Sequence, residues 1–204
     1  MRTLFDNPIL NFFSKLFDLA ILNLLTIVCC LPVVTMGASI TAAHYTALKI
    51  RRNEGHVISN FFSSFKENFK QSTVIWFMFC IHSAVAIVAW ILARNIGGIL
   101  STLMMGVIAI LLIFTLLGYM WIFPLQSKFI NPISITVKNS FLLAFRYLFS
   151  TLYMVAMYLI PLMLMCLIPM KWYIVFFLLV GVSAPFYWCS MRYDKLFEQL
   201  EEEI

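Results

Sequence analysis

Residues 29–55 read CCLPVVTMGASITAAHYTALKIRRNEG. An apolar helix runs into Pro32, pauses at Gly37, resumes on small and polar residues, and ends on Lys49, Arg51 and Arg52. Proline removes a backbone donor and glycine permits a turn, so the stretch reads as a helix, a break and a second short helix. Gly37, Ala38 and Ser39 form the hinge with Pro32, and Ser39 can cap the renewed helix.

The solvent around this break follows from composition. The 204 residues are 63% hydrophobic and only 11% charged, with 20 Phe and 12 Met. The mean hydropathy is +0.95. A soluble domain carries roughly 25% charged residues. A chain of one-domain length cannot hide this much apolar surface from water. Lipid must solvate much of it. The predicted fold class is all-α, a polytopic transmembrane helix bundle.

A bilayer span takes about 20 apolar residues. Five stretches qualify: Leu16–Val34, Ser72–Ala93, Ile99–Phe123 closed by Pro124, Phe149–Ile168 and Trp172–Cys189. None alternates with the period of a barrel strand. The expectation is five full spans plus the short broken helix after span 1. Small residues at 37–39 could mimic a signal cleavage site. The apolar run is long for a signal, however, and Asp18 and Asn23 interrupt it.

Orientation follows from Lys and Arg in the connections. Lys49, Arg51, Arg52, Lys66 and Lys70 lie in 49–70; Lys128, Lys138 and Arg146 in 124–147; Arg192 and Lys195 in the tail. The other two turns hold only Arg94 and Lys171. The basic connections and the C-terminus are therefore expected in the cytoplasm. If Arg2 and Lys15 are also inside, the chain makes six crossings, and Ala38–Ile50 is a return leg of only ~20 Å. With the N-terminus outside there are five crossings, and Ser39–Arg52 lies on the inner surface. The expected organisation of this single domain, 1–204, is a broken hairpin at 16–50, an amphipathic helix plus hairpin at 58–123, a second such unit at 133–190, and an acidic cytoplasmic tail at 191–204.

The two units share a weak pattern. NFFSSFKENFKQSTVI at 60–75 aligns with SFLLAFRYLFSTLYMV at 140–155, matching Phe65 to Phe145, Lys66 to Arg146 and Phe69 to Phe149. Phe61, Phe62, Phe65 and Phe69 fall on one helical face, with Lys66 and Lys70 on the remainder. Such helices are expected at the cytoplasmic interface, with Phe among acyl chains and Lys near anionic head groups. Duplication about an axis along the membrane normal and a coincidence of two interfacial helices are both compatible with this pattern.

Little in the sequence carries chemistry. The five cysteines form no CxxC pair, and His44, His56 and His82 have no ligand spacing. No phosphate loop and no nucleophile elbow occurs. No catalytic, cofactor or metal residues are assigned, and no enzyme activity is expected. The basic residues are accounted for at the membrane surface, which leaves no case for nucleic acid. Polar residues at membrane depth are functional candidates by default. Asn23, His44, His82 and Arg94 are therefore candidate lining of a cavity near the Pro32–Gly37 break. His82, halfway along its span, is equally explained as a bond between neighbouring helices.

LNLLTIVCCLPVVTMGASITAAHYTALKIRRNEG at 22–55, NFFSSFKENFKQSTVIWF at 60–77 and PLQSKF at 124–129 resemble the YesL-like family of bacterial integral membrane proteins. The resemblance implies a multi-pass protein of the bacterial cytoplasmic membrane. It also implies genes often found beside carbohydrate importers of the ATP-binding-cassette (ABC) kind. It brings no catalytic residues, because that family has no known biochemical function. The leading expectation is a non-enzymatic accessory or regulatory component, in contact with lipid and with ABC permease or ATPase subunits. A small-solute transporter or channel is the alternative. An enzyme acting on lipid-linked substrates would need several polar groups converging at one depth.

Overall fold

The computed structural model describes residues 8–202. Arg2 lies outside them. Among the described residues there are eight α-helices and no strand. They are α1 (Pro8–Cys30), α2 (Met36–Arg52), α3 (Val57–Ile96), α4 (Gly98–Lys128), α5 (Ile133–Arg146), α6 (Leu148–Leu167), α7 (Met170–Phe176) and α8 (Ser183–Glu202). A 3-10 turn, Val33–Thr35, joins α1 to α2, and a π turn, Phe177–Gly181, follows α7. Four helices are long and apolar enough to cross a membrane, and the α7–α8 pair, bent by 44°, makes up to five. The chain is a multi-pass all-α membrane bundle.

The hub is α2. Its seventeen residues make a rod of only about 25 Å. Gly37, Ala38, Ser39, Thr41, Ala42, Ala43, Thr46 and Ala47 are all buried. Small side chains let neighbouring backbones approach closely. At Gly37 the approach is extreme, since a Cβ there would lie 2.2 Å from the Ser72 carbonyl oxygen of α3. Leu22 of α1 packs with Ala43, Ala47, Ile50 and Val57, and the Ser39 hydroxyl donates to the Thr26 carbonyl at 3.1 Å. So α2 returns antiparallel to α1 through the interior. It does not lie on a surface.

Three element boundaries differ from the sequence reading. The amphipathic segment at 58–70 is not separate from the following span, because α3 is continuous for forty residues, about 60 Å. Its inner face packs on the hub through Val57, Phe61, Ser64, Ser72 and Ile75, all buried. Pro124 does not end the third span, and α4 continues through it to Lys128. Leaving the helix there would strand backbone groups in an apolar surround. The run at 172–189 is not one straight span: it bends at the π turn.

The two similar segments thus fold differently. The first is unbroken, whereas the second divides at Tyr147, with φ −117° and ψ 51°. Thr151 seals this division. Its hydroxyl donates to the Ala144 carbonyl at 3.0 Å and accepts from the indole N–H of fully buried Trp121 at 2.8 Å.

Burial is uneven along α3 and α4. Around the hub they contribute Ile75, Trp121, Ile122 and Phe123 to the core. Farther out, Ile81, Val85, Val88, Ile91, Leu103, Val107, Ile110 and Ile113 are all exposed. The helices reverse on Gly97 and Gly98, whose φ values of 73° and 69° favour glycine. This distal hairpin stands clear of the bundle and presents apolar side chains all round, as a lipid-solvated element does.

Candidate functional site: the polar interior around the second helix

Asn23 is fully buried on α1. Its side-chain amide donates to the carbonyls of Phe177 and Leu178, both at 2.9 Å. Its oxygen accepts from the backbone N–H groups of Val182 at 2.8 Å and Ser183 at 2.9 Å. All four bonding positions of the amide are used, each on backbone freed by the π turn. An open helix end in an apolar interior is costly, and Asn23 closes this one from another helix. The first break has its own seal. The Thr35 hydroxyl lies 2.6 Å from the Cys29 carbonyl and 2.9 Å from that of Pro32.

His44 lies on α2 between two tyrosines. The Tyr193 hydroxyl donates to the His44 carbonyl at 3.2 Å. Having one proton, it must accept from the ring Nδ1–H, 3.3 Å away. The ring Nε2 then accepts from the Tyr158 hydroxyl at 3.2 Å. Phe186 packs edge-on at 4.7 Å between centroids. Beside this cluster is a cleft of about 200 Å³, lined by Ile40, His44, Trp76, Phe79, Tyr119 and Tyr158 among others. Its walls are apolar and aromatic, and both imidazole nitrogens are engaged within the protein.

A second polar seam joins α3, α4 and α5. The Gln126 amide donates to Asn68 at 3.1 Å and to Gln71, and Gln71 donates to the Asn131 carbonyl at 3.2 Å. Nearer the break, Thr41 and Ser72 share a hydroxyl bond of 2.8 Å. Sequence reading missed the Gln126 seam, Thr35 and Thr151. For Thr151 a polar side chain on an otherwise apolar helix was the available signal, whereas Thr35 lies in the turn itself and Gln126 in the polar end of α4.

The cationic end of α2 meets the tail. Arg51 and Arg52 both pair with Asp194, which is 1% exposed, and Arg52 reaches Glu198 at 2.8 Å. Lys128 pairs with Glu201 at 2.9 Å. Lys49 pairs with Glu54, and that hydrogen bond holds the Glu54 carboxyl below its usual range. Residues 49–54, 128 and 194–201 therefore share one end of the molecule. The charge run that ends α2 is its attachment to the last helix, a partnership that sequence reading did not foresee.

The remaining candidate residues are dispersed. Lys66, Phe69 and Lys70 are exposed on α3. Phe65 is half-buried and stacks on Phe61 at 6.1 Å. Arg146 covers the Tyr147 ring at 5.4 Å and borders a separate cleft with Asn139 and Leu200. Arg94 is exposed near the hairpin tip. His82 bonds Thr115 at 3.2 Å on the distal hairpin and borders a different cavity from His44. Asn23, His44, His82 and Arg94 do not converge on one cavity. Pro32 is exposed, while Gly37, Ala38 and Ser39 are buried against α1 and α3. Among the described residues, no group of three or more His, Cys, Asp or Glu could hold a metal ion.

No curated protein and no solved structure matches this chain. Residues 19–90, which comprise most of α1, the first break, α2 and most of α3, match the family described as "Protein of unknown function, DUF624".

Proposed function

We propose that this chain is a non-enzymatic accessory or regulatory component of a bacterial cytoplasmic-membrane system. The system is carbohydrate uptake of the ABC type, as the YesL-like resemblance implies, with the basic end and the C-terminus inside. The observation that carries the reading is the packed first break. Gly37 has no room for a methyl group against Ser72, and Ser39 is bonded to Thr26. A solute path through this hinge would need water and free polar groups. Instead, Asn23 and Ser39 bond to backbone, Thr41 to Ser72, and His44 to Tyr158 and Tyr193. Such an interior suits a scaffold that keeps its shape while its outer faces meet lipid and other chains.

Affinity purification from native membranes in mild detergent tests the reading. Permease or ATPase subunits of a sugar importer should co-elute in fixed proportion. Elution of the chain alone would refute it. A second reading, a small-solute transporter, draws on the cleft of about 200 Å³ beside His44. On that reading His44→Leu should abolish a flux, and an unchanged uptake profile in the variant would count against it.

A further inference from the structure

His82 occupies the middle of the apolar run 72–93 in α3, yet it faces outward on the distal hairpin. Ionisable side chains at membrane depth almost always face a bundle interior or a wet cavity. The Thr115 hydroxyl on α4 gives its one proton to the Leu111 carbonyl at 2.8 Å. Toward His82, 3.2 Å away, it can therefore only accept, so the ring carries its proton on Nε2. That leaves Nδ1 as an acceptor to which nothing among the described residues donates. Hydrocarbon offers no donor either.

Next to the ring is a groove of about 170 Å³ lined by Val85, Ala86 and Ala89 of α3 and by Ile108 and Leu111 of α4. The two alanines lower the wall there and admit a neighbouring helix closely. We propose that this groove is the docking face for a transmembrane helix of a partner protein, one that brings an apolar ridge and a hydrogen-bond donor at mid-depth to His82. A second copy of this chain fits less well. A two-fold contact with His82 on its axis would set acceptor against acceptor. The inference rests on the accessory-component reading and names the surface through which that component would engage its membrane partner.

The test uses the full chain in liposomes, fluorescently labelled, with a labelled Leu/Ala host transmembrane peptide carrying either one central Asn or Leu there. The Asn peptide should associate about three-fold more tightly, the size of an average interhelical hydrogen bond in lipid. His82→Leu should erase that preference. His82→Gln should keep it, because the amide oxygen still accepts. Ala89→Phe should weaken association of both peptides by filling the groove. Equal association of the two peptides, or a preference that survives His82→Leu, overturns the proposal. So does self-association of the chain that depends on His82, with no preference for Asn. Co-elution with importer subunits that is unchanged in His82→Leu and Ala89→Phe would sink this docking face and leave the accessory reading standing. Peptide discrimination without co-elution would do the reverse.

Discussion

The helical run breaks at 31–35 and again at 177–182, and the two breaks are made by opposite means. The first is built from local chemistry. Pro32 cannot continue the α1 ladder, Thr35 closes the freed carbonyls from within the turn, and Gly37 lets α2 restart against α3. The second has no proline within the turn, although Gly181 ends it and Pro185, in the first turn of α8, cannot bond back to the Gly181 carbonyl. It is held open by an amide from a helix more than 150 residues away in sequence. The first break meets its freed carbonyls with a residue of its own turn. The second leaves its freed backbone groups to be met by α1. This contrast teaches that a bend in an apolar helix can be a tertiary feature, paid for by one buried polar side chain.

The sharpest way to break the contrast is Asn23→Leu. It removes all four bonds at the second break and leaves two buried N–H groups and two carbonyls unmet. At ~1–3 kcal/mol for each orphaned group, less whatever α7 and α8 recover by joining, the net loss should be about 4 kcal/mol. Distance measurements between spin labels on α7 and α8 should show the 44° bend relaxing. A variant with unchanged thermal stability in detergent and an unchanged bend would mean that the π turn holds itself.

At the first break the largest effect should come from Gly37→Ala. The added methyl meets the Ser72 carbonyl and the Trp76 Cβ, both backed by the α3 backbone. Overpacking of this kind costs ~1–3 kcal/mol, and the shortness of the contact argues for the upper half of that range. Thermal unfolding in detergent would read the loss. Ala38, one residue on, is equally buried but has no such conflict, so Gly37 alone should show it.

What the sequence revealed follows the same division. The spans were legible because composition and apolar run length act locally, and Pro32 and Gly37 marked the first break directly. The second break was marked only by Gly181, Ser183 and Pro185 within 172–189, and nothing local showed that its bonds come from Asn23. The phenylalanine face at 58–70 was visible, but what covers it was not. Amphipathicity says that a face is buried; here α2 covers Phe61 and part of Phe65, while Phe62 and Phe69 stay exposed. Lys49, Arg51 and Arg52 were likewise visible as a cluster, while Asp194 lies 142 residues beyond Arg52. Asn23, His44 and His82 each stood out as polar residues at membrane depth. The sequence could not say that the first two are bonded inside the bundle and the third faces out.

Thr35→Val sharpens the contrast from the other direction. It keeps the shape of the side chain and deletes the hydroxyl that meets the Cys29 and Pro32 carbonyls. Those carbonyls sit in a half-exposed turn, and the loss should be about 1 kcal/mol, an ordinary net hydrogen bond.

Pro32→Ala should have the smallest effect of the series, although Pro32 is the most conspicuous residue in the stretch. Alanine restores a backbone donor and could in principle let α1 run on. Two constraints oppose that. Thr35 still closes the turn, and α2 is fixed by Gly37 against Ser72 and by Arg51 and Arg52 on Asp194. Extending α1 by even one turn would pull α2 out of both contacts. The extended φ and ψ of Pro32, −75° and 120°, are also open to alanine. The expected change is about 0.5 kcal/mol of destabilisation, from greater freedom of the unfolded chain. If Pro32→Ala instead cost as much as Asn23→Leu, the first break would be held by its proline alone, and the α2 contacts would follow from the break rather than secure it.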